Sequence, residues 1–325
     1  MEECADGDRG SVVMRGAAGQ GAPTGVKVRR RVARQRRQGP RTVDDLLAWA
    51  ELTLGLPVVL GSDRSESHDK SLVLELKDSN GERWFLKYPR DKARFQREVT
   101  AYETVLASLG DRVPRMVGSS LRYQCLLIAA APGALAADGP GANDPIVHRA
   151  AGVWLADLHA SAPAEPATEM VGEKFQRRSA SLIARTVDLL EPSEVEFVRR
   201  ATMEIPERSE SVTVPCHRDY SPRNWMVDEH GTLRVIDFGL AGWDLAVRDF
   251  SRLAHRIWLF RPELREAFFA GYGRQLDEVE DRQLDGFVVM SAVRVMLRAH
   301  NQNDRAAVQR ERRLLARLNA VSAGG

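Results

Sequence analysis

The sequence has 325 residues, 43% of them apolar and 28% charged. That is ordinary globular usage, which excludes a fibrous or wholly disordered chain, and the length fits two domains or one large bilobed one. No apolar run reaches the roughly 18 residues that span a bilayer, the opening residues build no signal-peptide core, and Cys4, Cys125 and Cys216 are too few and too scattered for a disulfide framework or zinc site, so a cytoplasmic protein is expected.

The net charge of +2 is unevenly spread. Residues 1–41 hold ten Lys/Arg against four Asp/Glu, including Lys27, Arg29, Arg30, Arg31, Arg34, Arg36 and Arg37. They lack the aromatic side chains on which bases stack. A disordered basic leader is therefore expected, and nucleic acid is not expected as a partner. Thr42-Val-Asp-Asp45 reads as a helix cap ahead of Leu46, Leu47, Trp49, Ala50 and Leu54. Strands are predicted at 57–61, 71–77 and 82–88, the last two joined as a hairpin by Asp78-Ser-Asn-Gly81. A helix over 92–109 carries Phe95, Val99, Tyr102, Val105, Leu106 and Leu109 on one face. A strand at 125–130 leads into a Gly/Pro/Ala stretch, 132–145, which reads as a linker between a nucleotide-binding lobe, 42–131, and a larger lobe, 146–325. The larger lobe is predicted helical over 146–160, 175–190, 194–205 and 246 to about 320. Two short strands, 225–228 and 233–236, interrupt it.

The chemistry concentrates in Cys216-His217-Arg218-Asp219-Tyr-Ser-Pro-Arg-Asn224 and Val235-Ile236-Asp237-Phe238-Gly239. An Asp five residues before an Asn, then a second Asp after a strand, is the layout of phosphoryl-transfer loops. Asp219 suits a base that takes the acceptor hydroxyl's proton. Asn224 and Asp237 supply the neutral and anionic oxygens that Mg2+ favours. Such a pattern arises by chance in on the order of one chain in a thousand. Upstream, Lys87 lies on the predicted strand 82–88 and Glu98 on the next helix, where Lys87 would neutralise phosphates and Glu98 would fix it. Glu103 is the competing register. Between the first two strands, Ser62, Ser65 and Ser67 offer donors to phosphate; a plain polar hairpin loop is the alternative. There is no Walker A sequence.

His217-Arg-Asp219-x4-Asn224 and Ile236-Asp237-Phe-Gly239, with Lys87 and Glu98 upstream, resemble the aminoglycoside phosphotransferase and choline-kinase-type family. Trp154-Leu-Ala-Asp-Leu-His159 and the segment from Leu240 to Phe250 are similar to it as well. The resemblance implies an α+β, protein-kinase-like bilobal fold with a small antiparallel-sheet lobe and a larger, mainly helical one. It implies ATP or GTP as donor with Mg2+, and a small-molecule acceptor hydroxyl. By it Asp219 is the catalytic base, Asn224 and Asp237 are metal ligands, and His217 props the loop. Unlike protein kinases, the chain has Ser221 two residues after Asp219 and no Ala-Pro-Glu segment. An antibiotic hydroxyl stands first among acceptors by this resemblance and a metabolic choline-, sugar- or amino-alcohol-type acceptor second. A nucleotide-sensing pseudokinase, or a nucleic-acid binder using the basic arm, is the non-enzymatic alternative. The pseudokinase is disfavoured because Lys87, Asp219, Asn224 and Asp237 are all present.

The residues leave the acceptor open. Asp277, Glu278, Glu280, Asp281 and Asp285 would suit a polycation or form a solvated helix face. Arg294 and Arg298, one turn apart, suit an anionic or sugar-like acceptor. Trp243, Trp258 and Tyr272 would cage a quaternary ammonium or pack in the core. Asp249 reads as a helix cap or a partner of the catalytic loop, Cys216 as a small buried residue, and His159, His255 and His300 as structural. No role emerges for Arg218.

Overall fold

A computed structural model describes residues 42–65, 71–166, 169–205 and 212–324; the basic leader and Ser67 lie outside them. Helix α1 (Val43–Leu54) opens on the expected cap. Thr42 Oγ1 accepts from the Asp45 amide while Asp45 accepts from the Thr42 amide. Strands β1 (Val58–Asp63), β2 (Ser71–Asp78) and β3 (Arg83–Pro89) follow, the last two turning through Gly81 at φ 85°. Next come α2 (Lys92–Glu103), β4 (Met116–Ser120) and β5 (Cys125–Ala129). The helix predicted over 92–109 breaks at Thr104 (φ −120°) and continues as tighter turns, Val105–Arg112.

The five strands form one antiparallel sheet in the order β1-β2-β3-β5-β4. Strand alternation divides its side chains between two faces. Leu74, Leu76, Leu86, Cys125 and Leu127 pack under Leu46 and Ala50 of α1. Leu126 and Ile128 face the other way, against Phe95 of α2. Covered on both faces, β5 reads as a continuous apolar run rather than an alternating one.

The stretch expected as a linker contributes β6 (Ala134–Leu135). Helix α3 (Pro145–His159), β7 (Glu165–Pro166), α4 (Glu169–Thr186), α5 (Pro192–Met203) and β8 (Val212–Cys216) come next. After them lie β9 (Trp225–Val227), β10 (Leu233–Val235) and β11 (Gly242–Asp244). The chain finishes in α6 (Val247–Leu253), a π-helical turn (Ala254–Trp258), α7 (Pro262–Tyr272), α8 (Glu278–Asn301) and α9 (Arg305–Gly324). Strands β4, β7, β8 and β11 were not predicted. All four are short or polar; β4 pairs locally with β5, while β7, β8 and β11 owe their pairing to distant partners, β8 with both β7 and β11.

Trp154, Phe250, Phe268, Phe269, Met290 and Val293 form the centre of the helical core. Helices α3 and α7 approach closely through two glycines. A Cβ on Gly152 would stand 2.0 Å from the Phe268 carbonyl oxygen, and one on Gly271 would stand 1.9 Å from that of Arg149. No helix among the described residues is long and apolar enough to cross a membrane.

Candidate active site

Lys87 sits on β3, bounded by Val73 of β2 and Leu126 of β5. Its neighbour Leu86 faces α1, so Lys87 must face α2. There its Nζ lies 2.8 Å from Glu98 Oε1 and 2.5 Å from Asp237 Oδ1, a residue 150 positions away. Glu98 is fully buried, whereas Glu103 is exposed at the end of α2, which decides the register in favour of Glu98. Gly239 lies beside this group: a Cβ there would make ordinary contact, 3.4 Å from Glu98 Oε2 and 3.5 Å from Asp237 Oδ1.

Burial works against the charge on Lys87, but Asp237 and Glu98 more than offset it and its ammonium is held above the ordinary lysine range. Lys87 in turn keeps the Asp237 carboxyl far below its usual range, against the effect of burial. Burial raises Glu98, and Lys87 reverses that only in part. The trio thus holds a permanent ammonium and a permanent carboxylate side by side, the second of them partly open to water.

Asp219 lies in the loop after β8. Its conformation is fixed from beneath by Asp249, the third residue of α6, whose carboxylate accepts from the His217 amide (2.8 Å) and from the Arg218 amide. His159 Nε2 approaches the same carboxylate at 3.2 Å, with Tyr272 Oη 2.8 Å from His159 Nδ1. Burial opposes the charge on Asp249, and the contacts with His159 and His217 outweigh it, leaving the group below its ordinary range. His217 closes the loop from the side: the Asp219 amide donates to Nδ1 (3.2 Å), and Nε2 lies 2.9 Å from the Ile236 carbonyl. An acceptor at Nδ1 and a donor at Nε2 define one neutral tautomer.

Arg218 takes a left-handed backbone, φ 63°, which costs a non-glycine residue about 1–2 kcal/mol. Its side chain shows what holds it there. Nε stands 2.9 Å from Asp244 Oδ2 and Nη2 donates to the Trp243 carbonyl, pinning the loop to β11. Nothing in the local sequence announced this role, because β11 itself was not legible.

Asn224 and Asp237 flank the same end of the β9–β10 pair. Val235 pairs with Trp225, and the Ile236 amide donates to the Asn224 carbonyl at 3.0 Å. Asn224 gives its side-chain amide to the Asp219 carbonyl (2.8 Å), which leaves its oxygen as a neutral donor. One amide oxygen and one permanently ionised carboxylate form the hard oxygen set that suits magnesium. Asp237 also has a left-handed backbone, φ 66°, and Phe238 beyond it is fully buried between Tyr102 of α2, Trp154 of α3 and His217. The buried His159, Cys216 and Asp249 also have ligand atoms within 4.8 Å of one another. Asp249 is committed to the His217 and Arg218 amides, and burial holds the Cys216 thiol above its ordinary range, so the group reads as a structural cluster.

One neighbour of Asp219 was missed by sequence reasoning. Arg252 of α6 places Nε 2.6 Å from Asp219 Oδ1. Burial raises the Asp219 carboxyl above its ordinary range, and Arg252 opposes this without cancelling it. The signal for Arg252 was only its spacing of three residues from Asp249, one turn along the same helix.

The serines are placed differently. Ser62 donates its hydroxyl to Glu75 Oε2 (2.8 Å), and Ser65 Oγ accepts from the Val73 amide (2.9 Å), so both side chains are engaged within the β1–β2 hairpin. Trp258 is buried in the helical core and Tyr272 is committed to His159, so no aromatic cage forms. The acidic cluster at the start of α8 is a capped, ion-paired helix end, with Arg274 on Glu280, Arg265 on Asp281 and Arg282 near Glu278.

Comparison with known proteins places this geometry. The family model described as the phosphotransferase enzyme family matches residues 66–287. No curated protein matches the sequence. Among solved structures, macrolide 2'-phosphotransferase MphH from Brachybacterium faecium is similar at 20% identity and a TM-score of 0.56, over 84% of this chain and 97% of that one. The GDP and kanamycin complex of APH(2")-IIIa is similar at 17% identity and a TM-score of 0.61, over 84% and 99%. The aminoglycoside phosphotransferase from Alicyclobacillus acidocaldarius is similar at 14% identity and a TM-score of 0.52, over 82% and 93%. At these identities the structures speak for the fold, while the family model spans well over half of the sequence. The chain therefore belongs to the phosphotransferase enzyme family, and is an enzyme that moves phosphate to a small-molecule hydroxyl on a bilobal, kinase-like α+β fold.

Proposed function

We propose that the protein is a magnesium-dependent O-phosphotransferase that moves the γ-phosphate of ATP or GTP to the hydroxyl of a small molecule, acting in the cytoplasm. The observation that carries this reading is the meeting of Lys87, Glu98 and Asp237 beside the Asp219–Asn224 loop, from segments 150 residues apart. The nucleotide is assigned to the sheet lobe, 42–131, and the acceptor to the helical lobe, 146–325, with 132–145 joining them.

Lys87 binds the donor's phosphates as a permanent cation, held in place by Glu98. Asn224 and Asp237 hold the metal through oxygen. Magnesium bound there supplies charge neutralisation on the phosphates and in-line alignment. Asp219 is the base: its carboxylate orients the acceptor hydroxyl and accepts its proton as the oxygen attacks. Arg252 opposes the effect of burial on that carboxylate. Ser62 and Ser65, with hydroxyls engaged in the hairpin and the Ser65 amide given to Asp63 Oδ1 (2.8 Å), contribute to phosphate binding through hairpin shape rather than as free donors.

The family resemblance puts an antibiotic hydroxyl first. A cleft in the helical lobe favours the second reading, a metabolic acceptor, because half of its lining residues are arginines and a polycationic aminoglycoside would be repelled there. Transfer of labelled γ-phosphate from ATP and GTP to kanamycin, a macrolide, choline, neutral sugars and sugar phosphates tests the proposal. Asp219→Asn is the blank, expected to retain nucleotide binding and to lose about 10²–10⁴ in kcat. Near-native transfer by Asp219→Asn would remove the base assignment.

A further inference from the structure

Helices α4, α6 and α8 enclose a cleft of about 720 Å³ in the helical lobe. Six of its lining residues are arginines: Arg177, Arg178 and Arg185 from α4, Arg248 from α6, and Arg294 and Arg298 from α8. The spacing explains the convergence. Arg178 and Arg185 lie two turns apart on α4, and Arg294 and Arg298 one turn apart on α8, so each pair shares a helix face. No acidic residue lines the cleft among the described residues.

Among the described residues, most of these arginines have no acidic partner within salt-bridge distance. Arg177 has Glu173 at 3.6 Å, one turn back on α4. Arg248 stacks over the Phe287 ring at 5.0 Å and feels Asp244 and Asp249. For Arg294, open to water in the cleft but crowded by the protein around it, the acting charges are all cations. Partial desolvation, then Arg248, Arg252, Arg178 and Arg298, bring its guanidinium down to about 10. Holding like charges together from three helices is destabilising unless an anion relieves it. Arg252 ties the cleft to the candidate base: it lies one turn along α6 from Arg248, which lines the cleft, and pairs with Asp219 at 2.6 Å.

Resting on the phosphotransferase reading above, we infer that the acceptor is an anionic hydroxyl compound, a phosphate ester whose phosphate is bound in the arginine cleft of α4, α6 and α8 while its hydroxyl meets Asp219. Guanidiniums arriving from three helices match the three free oxygens of a phosphate monoester better than the two coplanar oxygens of a carboxylate. The cleft is open to water and of small-molecule size, within the volume range typical of ligand pockets. The reaction then transfers a second phosphate to a molecule that already carries one. The Asp219 carboxylate takes the hydroxyl proton, the new O–P bond forms at the γ-phosphorus, and the nucleoside diphosphate leaves with the electrons of the broken bond.

The test is calorimetric titration of the full chain, its nucleotide site filled with a non-hydrolysable magnesium-ATP analogue. The ligands are inorganic phosphate, malonate, kanamycin and a short oligonucleotide. Phosphate is expected to bind more tightly than malonate, with affinity falling as salt rises, and kanamycin not to bind. Arg294→Gln/Arg298→Gln and, independently, Arg178→Gln/Arg185→Gln are each expected to weaken phosphate at least about tenfold. Phosphate binding that is absent, or unchanged in both double variants, would overturn the inference. Tighter binding of malonate, kanamycin or the oligonucleotide would overturn it in favour of a carboxylate, a cationic or a nucleic-acid ligand. Binding of the nucleotide analogue, measured alone, separates the two levels. If it binds and phosphate does not, only the acceptor assignment falls. If it does not bind, the phosphotransfer reading falls, and the acceptor assignment with it.

Discussion

With Asp219 as the proposed base, the acid limb of the pH profile is expected to depend on its pair with Arg252. Burial has already raised the Asp219 carboxyl and Arg252 holds it down. In Arg252→Gln the carboxyl therefore rises further, and more of it is protonated, hence inactive as a base, at a given pH. The acid limb of kcat/KM is expected to shift to higher pH in this variant, and an unshifted limb would show that another group controls it. Lys87 makes a second test. In Lys87→Met the buried Glu98 loses its partner, and leaving one member of a buried pair costs about 3–5 kcal/mol. A carboxyl raised above its unfolded value binds the extra proton in the folded state. The loss should accordingly be smallest in acid and grow as pH rises from the ordinary glutamate range through the raised value of Glu98, levelling off above it. Denaturant melts of both proteins across pH would show this divergence.

At the scale of elements, the site depends on short pairings between long-separated segments. Strand β11 holds Arg218, β9 and β10 bring Asn224 next to Asp237, and α6 supplies both Asp249 and Arg252. Helices α3 and α7 stand behind this loop, because Tyr220 donates to the Ala151 carbonyl (2.7 Å) and His159 joins Tyr272 to Asp249. Their close approach rests on Gly152 and Gly271. Gly152→Ala places a methyl 2.0 Å from the Phe268 carbonyl oxygen and should force the helices apart at a cost of about 1–3 kcal/mol. A thermal melt of Gly152→Ala with an unchanged midpoint would contradict this account of the α3–α7 contact.

At the scale of the whole molecule, Gln38–Gly325 forms one compact unit by its own contacts, and every residue assigned to chemistry lies within it. A chain lacking residues 1–37 is therefore expected to transfer phosphate at the rate of the full chain. A basic arm that binds nucleic acid would instead leave the truncated protein with weakened, less salt-dependent binding to it. Charge is distributed to match. The acidic start of α8 is closed off by Arg265, Arg274 and Arg282, while the cleft between α4, α6 and α8 keeps its arginines facing inward.

The sequence by itself determined the candidate site, the loop of Asp219 and Asn224 with Asp237 and Lys87, because phosphoryl transfer demands particular atoms at fixed spacings along a short loop. It also determined α1, the β2–β3 hairpin and the main helices, where a cap, a turn residue or a 3.6-residue period acts over a few neighbours. Tertiary structure decided what distance along the chain conceals. It chose Glu98 over Glu103, which depends on the face that α2 turns to β3, and it gave Arg218 a role through a strand of three residues. It also broke the helix predicted over 92–109 at Thr104, engaged Ser62 and Ser65 inside their hairpin, and gathered six arginines from three helices into one cleft. A pair on one helix is visible as a period, but a convergence of helices is not, because packing sets which faces meet and the local sequence of each helix is the same whichever neighbour it meets.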